Sequence, residues 1–252
     1  MKSSSIGSKL LAAALGVAAT TAAAQVPGAT GAPGMTSALA HLFGTNSAFT
    51  AKAEVRVLDS AQNEMTAMPM DFAMLDKKIR IDIDLTQAKS QNMPPGMADA
   101  LKRMGMAQVV SIIRPDKKMM FVAYPDQKLA VSQAWSAEEA DAAQQTPKIT
   151  RTAMGQESLD GHACEKNKVV LTDAKGGTVE ATTWNAQDLK DFPVQIQTSE
   201  GGTTAFIHFK GVQLVKPDSA QFDVPAGYTV YKSMQEAQDA IIKKAAAAQP
   251  GK

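Results

Sequence analysis

Met68-Pro69-Met70-Asp71-Phe72-Ala73-Met74-Leu75-Asp76-Lys77-Lys78-Ile79-Arg80-Ile81-Asp82-Ile83-Asp84-Leu85 contains two runs of period two joined by a polar pair. Successive residues of a strand point to opposite faces. Met68, Met70, Phe72 and Met74 therefore share one face of a first strand. Ile79, Ile81, Ile83 and Leu85 share one face of a second, opposed by Arg80, Asp82 and Asp84. Asp76-Lys77 has the character of a turn. Upstream, Phe49, Ala51, Ala53, Val55 and Val57 alternate with Thr50, Lys52, Glu54 and Arg56, and Ser60 to Asn63 makes the connection. Three such strands in succession predict an antiparallel meander.

The same pattern continues downstream. Pro94-Pro95-Gly96 interrupts the sheet, and Met97 to Met104 reads as a short amphipathic helix. Strands are expected at 107–114, 118–124 and 127–132, with turns at Pro115-Asp116 and Pro125-Asp126. Ser136 and Glu139 form a capping box for another short helix. Further strands follow at 148–157, 162–172, 178–185, 192–198 and 203–214, with hairpin turns at Asp160-Gly161, Gly176-Gly177 and Gly201-Gly202. An extended stretch, 222–228, leads to a helix over roughly 233–247. Alternating strands predict a sheet with one face wet or only partly covered.

The N-terminus has a different logic. Lys2 and Lys9 precede an apolar run from Leu10 to Ala19, and Ala22-Ala23-Ala24 offers small residues for cleavage. That order is a secretory signal peptide, and its apolar run is short for a membrane span. Residues 1–24 are thus expected to be removed. Residues 25–47 form a Gly/Pro-rich leader with a short helix near 36–43, residues 48–231 the folded domain, and residues 232–252 a C-terminal helix and tail. No later segment reads as transmembrane, so the product is expected in a periplasm or outside the cell. No cysteine stands near the cleavage site to take a lipid.

Loss of Lys2 and Lys9 leaves 24 basic against 25 acidic side chains, a balance with no basic footprint for nucleic acid. Cys164 is the only cysteine and reads as a small buried residue. His162-x-Cys164 could share a strand face, but a zinc site needs three or four protein ligands. Asp82 and Asp84 could pair for acid–base chemistry, yet the strand period, with Arg80 beside them on the polar face, accounts for both. No nucleotide, zinc-protease or nucleophile-elbow motif occurs, so no cofactor and no catalytic residue is assigned.

Methionine is the unusual component. Fourteen occur, against 5% aromatic residues, which predicts a soft core. Flexible, polarizable Met suits apolar surfaces that adapt to varied partners. The candidate ligand-binding residues are Met68, Met70, Phe72, Met74, Ile81, Ile83, Met119 and Phe121.

The second half contains an ordered set of motifs. Gly155-x-Glu157-x-x-Asp160-Gly161-x-x-Cys164 comes first, then Trp184 and Leu189-x-x-Phe192-Pro193-Val194, then Phe222-x-Val224-Pro225-x-Gly227-Tyr228. In this order they resemble an uncharacterised bacterial envelope domain family, itself similar to the LolA-like lipoprotein carriers and sensors. The resemblance implies a mainly β (α+β) fold, a curved antiparallel sheet or incomplete barrel with helices plugging its open side. It also implies an apolar interior that receives lipid chains in better-known relatives, and it brings no catalytic residues. Lipid or a lipidated protein is the expected partner. A protein-interaction or envelope-stress-sensing module without a small ligand is the alternative. A hydrolase would need His162 or His208 within reach of a nucleophile or carboxylate.

Overall fold

The computed structural model describes residues 40–91 and 93–247. The signal peptide and most of the leader lie outside them, as does residue 36–39 of the expected first helix; a helical turn occupies 40–42. The meander forms as read: β1 (Ala48–Leu58), β2 (Glu64–Leu75) and β3 (Lys78–Asp84). Met70 lies opposite Ile83, Phe72 opposite Ile81 and Met74 opposite Ile79, so the two quoted runs place their apolar sides on one face. The turn between them has Asp76 at φ 49° and Lys77 at φ 68°, the doubly left-handed geometry of a tight hairpin.

The two-residue strand β4 (Lys89–Ser90) and helix α1 (Met97–Arg103) follow, then β5 (Gln108–Arg114), β6 (Met119–Tyr124), β7 (Leu129–Ala134) and helix α2 (Ala137–Gln144). Ser136 and Glu139 close both halves of the capping box on α2. The second half is β8 (Lys148–Leu159), β9 (His162–Thr172), β10 (Thr178–Ala186), β11 (Phe192–Glu200) and β12 (Thr203–Gln213). The short β13 (Thr229–Tyr231) and helix α3 (Met234–Ala247) end the described chain. All thirteen strands of the described residues join one sheet in the order β13-β7-β6-β5-β3-β2-β1-β12-β11-β10-β9-β8, with β4 beside β2. The path has two free ends, β13 and β8, so the sheet is open and not a closed barrel. This is the expected mainly β architecture. Its central seam, β1 against β12, joins the two halves, with Ala53 opposite Phe209 and Val55 opposite Ile207.

The inner face carries the main core. Phe49, Phe72, Met74, Ile79, Ile113 and Met120 pack there with Leu101 of α1, Ala140 and Ala143 of α2 and Ala237 of α3. The C-terminal helix is thus part of the fold, held by Ala237 at 0% exposure. The soft core predicted from composition is corrected at one place. Phe43, Phe49, Phe72, Phe192 and Phe209, five of the eight phenylalanines, meet in one cluster. The Phe49–Phe192 and Phe43–Phe49 centroids are 4.7 and 4.8 Å apart, within the range of favourable ring pairs.

The outer face is covered in part, over β2, β5 and β6. Ala73, Leu75, Val110, Ile112 and Ala123 form a second core there, closed by Phe222. The strap 215–228 crosses this face before β13 pairs parallel to β7. Two arginines hold its carbonyls: Arg80 donates to Gln221 O at 3.0 Å, and Arg114 donates to Phe222 O at 3.0 Å. Arg114 also grips Asp116 through two bonds of 2.8 and 2.7 Å and contacts Asp223, which Lys117 reaches at 2.7 Å.

The Arg114 guanidinium, foremost by its hydrogen bonds, holds the Asp116 carboxyl below its ordinary value. Lys117 and then Arg114 do the same for Asp223. A carboxyl depressed in the folded state contributes stability above its unfolded value, about 3.9 for Asp. That contribution is lost as the pH falls through the folded value. Urea midpoints measured from pH 7 to pH 3 are therefore expected to fall below about pH 4, and to fall less steeply in Arg114→Met. Equal acid sensitivity in the two proteins would show that these ion pairs do not secure the strap.

Candidate functional site

The inner face changes character along its strands. At one end the phenylalanine cluster fills it: Phe49 is 0% exposed, Met74 3% and Phe209 3%. Further along, the lining is half-buried. Val55 of β1 lies between Met68 of β2 and Ile207 of β12, and all three are partly exposed. Met70 and Ile81 are likewise partly buried against the core, as is Met97 at the start of α1. The result is a patch of Met, Ile and Val that is plugged by aromatic rings below and incompletely covered above. The interior beside it is a poor medium for charge. Burial pushes the Tyr124 hydroxyl up to about 12.

The eight residues singled out from sequence do not form one group. Met68, Met70 and Ile81 line the half-buried patch. Phe72, Met74 and Ile83 share their face but are buried in the core. Met119 and Phe121 are a correction to the grouping, because they point the other way. On β6 it is Met120, Val122 and Tyr124 that join the inner core, whereas Phe121 packs on the outer one under the strap. Val55, Ile207 and Met97 belong to the lining and were not singled out. The alternation of β1 marked Val55 as apolar, but only the pairing of β1 with β12 brings Ile207 beside it.

Other motif residues of the second half, from Glu157 to Cys164 with Lys166, Trp184 and Asp188, converge elsewhere, around the β8–β9 hairpin. Asp160 at φ 50° and Gly161 at φ 86° make its turn. The Trp184 indole donates to Glu157 Oε2 at 2.8 Å. Lys166 lies 4.7 Å from the centre of the same ring and 3.3 Å from Glu157. These partners, Trp184 first and then Lys166, hold the Glu157 carboxyl below its usual range. His162 Nδ1 meets Asp188 Oδ2 at 2.7 Å. His208 Nε2 is 2.8 Å from Asp160 Oδ2, in ion-pair range but outside hydrogen-bond geometry.

Both histidines thus face a carboxylate, but among the described residues no hydroxyl or thiol is hydrogen-bonded to either ring. Cys164 is 1% exposed, its thiol directed to His162 O at 3.5 Å, and burial pushes that thiol up. Among the described residues no group of His, Cys, Asp and Glu is placed to hold a metal. Asp82 and Asp84 do not pair. Asp82 takes two bonds from Arg80, of 2.7 and 2.6 Å, while Asp84 accepts from Thr86 and Gln87 in the following turn. The hairpin tip is a clasp that fastens β8 and β9 to the sheet.

Together these elements make an open β sheet with helices on its inner face and a half-covered apolar lining. No family model matches the chain, and no curated protein matches it by sequence. Among solved structures it is similar in fold to the Mycobacterium tuberculosis lipoprotein LppX, at 14% identity and a TM-score of 0.38, over 69% of this chain and 93% of that one. It is also similar to a LolA superfamily protein from Nitrosomonas europaea, at 9% identity and a TM-score of 0.36, over 73% and 93% of the two chains. LprF from Mycobacterium bovis aligns at 12% identity with a TM-score of 0.38, over 78% and 97%.

Proposed function

We propose that this chain is an exported bacterial binding protein that holds an apolar ligand, an acyl chain or lipid, against the Met–Ile part of its inner face. One observation carries the reading: the lining is closed by phenylalanines at one end and left half-buried at Val55, Met68, Met70, Ile81 and Ile207 at the other. An inner face meant only as core gains most from complete burial, at about 25 cal/mol per Å² of apolar surface. Methionine suits the open end, because its unbranched thioether adapts to chains of different shape. Export is supported by the order of charged, apolar and small residues before Ala24. No described helix is long and apolar enough to cross a membrane.

The test is native mass spectrometry of protein secreted with its own leader and purified without detergent. Bound lipid is expected on the wild-type protein. Met70→Glu places a carboxylate in the lining at a half-exposed position that can be tolerated in the fold, and at least a tenfold loss of bound lipid is expected. Wild-type protein that carries no lipid and binds none when it is added would overturn the reading. Specific capture of one envelope protein by lipid-free material would then favour an interaction module.

A further inference from the structure

Two hydroxyls stand on the apolar inner face, next to the half-buried lining. Ser111 of β5 is the cross-strand partner of Ile81 of β3 on one side and of Val122 of β6 on the other. Both partners belong to the inner face, so Ser111 places a polar group there. Tyr124 follows Val122 by two residues and joins the same core. It is diagonal to Ser111 across the β5–β6 pair, a separation of about 7–8 Å that an aromatic side chain spans. Ile81 is in turn diagonal to Met70 across the β2–β3 pair. The two hydroxyls thus continue the Met–Ile lining inward, with no residue between Ile81 and Ser111.

Ser111 is 6% exposed and Tyr124 2%. Among the described residues neither hydroxyl has a hydrogen-bond partner, although buried polar groups ordinarily find one. Neither oxygen is sealed: among the described residues, the fully enclosed polar side-chain atoms without a partner are Trp135 Nε1 and His208 Nε2. Open space therefore touches both hydroxyls. Packing alone gives no reason for a hydroxyl in the buried run Val109 to Ile113, since burying one without a bond is unfavourable. Both groups are donors, and burial keeps Tyr124 protonated far above neutral pH. The same surroundings disfavour an anion, and the cross-strand neighbours Ile81, Val122 and Leu129 carry no charge. Val131, opposite Val122 on β7, is half-buried and leaves a second way out of this row.

We propose that the Ser111 and Tyr124 hydroxyls receive the carbonyl oxygen of an uncharged acyl ester whose chain runs past Ile81 and Met70 to Met68. The alcohol side of the ester leaves past Val131. This assignment rests on the apolar-ligand reading above and adds the polar group of the ligand and its neutrality. A free lipid and a lipidated protein both carry such an ester.

Calorimetric titration below the micelle threshold tests this with monolauroylglycerol, its ether counterpart dodecylglycerol, which lacks only the carbonyl, and laurate at neutral pH. The wild type is expected to bind the ester about tenfold tighter than the ether or laurate. Ser111→Ala and Tyr124→Phe are each expected to weaken the ester about fivefold, the loss of one hydrogen bond, and to leave the ether unchanged. The urea midpoint of the ligand-free variants is expected not to fall, because neither hydroxyl has an internal partner. Ester and ether bound equally by the wild type, or ester affinity unchanged in both variants, would overturn the assignment and leave the apolar-ligand reading standing. Laurate bound as tightly as the ester would overturn its neutrality. No binding of any probe by the wild type would remove both. A diacylglyceryl peptide weakened by the same two substitutions assigns the ester to a lipidated protein; one unaffected by them assigns it to free lipid. Should the variants fail to fold, the infrared carbonyl stretch of monolauroylglycerol carrying a carbon-13 carbonyl decides on the wild type. It is expected to fall below its value in hexane on binding, and an unshifted band overturns the assignment.

Discussion

Phe192→Ala is expected to lower the stability of the folded protein by about 3–5 kcal/mol, read from the urea midpoint at neutral pH. Phe192 opens β11 at 0% exposure. Its ring centre lies 5.3 Å from Phe43, 4.7 Å from Phe49 and 5.6 Å from Phe209. Those rings come from the segment before β1, from β1 and from β12, so the cluster ties both halves of the sheet together. Truncation removes the transfer free energy of the ring and leaves a cavity whose walls are themselves bulky rings held by their own strands. Phe206→Ala is the internal control. Phe206 alternates with Phe209 to the outer face of β12 and is half-exposed, so its loss costs less. Equal losses at the two positions would show that the aromatic plug has no special part in holding the open sheet.

The second large effect lies on the other face. Phe222→Ala is expected to cost about 3–5 kcal/mol as well, and to add a signature that Phe192→Ala lacks at native conditions. Phe222 is 0% exposed and seats against Ala73, Ala123 and Ala130, whose small side chains leave room for its ring, with Leu75, Val110 and Ile112 around it. It fixes the strap at a point where Arg80 and Arg114 already hold the neighbouring carbonyls. Without the ring, the strap keeps its polar bonds and the half-buried Val224 and Tyr228, and the centre of an apolar face of β2, β5 and β6 is offered to water. Binding of a hydrophobic dye such as anilinonaphthalene sulfonate should rise before the unfolding transition, and aggregation should follow, as for other large exposed apolar patches. A Phe222→Ala protein with an unchanged midpoint and no dye binding would show that the strap does not depend on this wedge.

The meander was legible because its information is local. Phe49 to Val57, Met68 to Met74 and Ile79 to Leu85 each declare a face by alternation, and the turns declare themselves by Asp, Lys and Gly at positive φ. Met119 to Tyr124 show where this stops. MMFVAY is apolar at nearly every position, so period two singles out neither parity. Nothing in the run itself favours Met119 and Phe121 over Met120 and Val122 for the inner face. Both parities are apolar for a reason the segment does not contain: the helices cover one face and the strap covers the other. The continuous burial of β5 from Val109 to Arg114 has the same cause.

The motifs of the second half were legible as markers and not as contacts. Glu157, Asp160 and His162 lie in the hairpin that they fasten, whereas Asp188 comes to His162 from 26 positions on. Trp184 reaches Glu157 across 27 positions, and His208 comes to Asp160 from β12.

By itself, the sequence determined that this chain makes alternating antiparallel strands, where most of them turn, and that Met and Ile dominate one apolar face. Those are properties of neighbouring residues, set by the two-residue strand repeat and by turn stereochemistry. Only the tertiary structure decided that β1 meets β12, that five phenylalanines close one end of the inner face while Val55, Met68, Met70 and Ile81 remain half-open, and that Phe222 seals the outer one. Burial depends on what lies opposite a face, and what lies opposite comes from segments far along the chain.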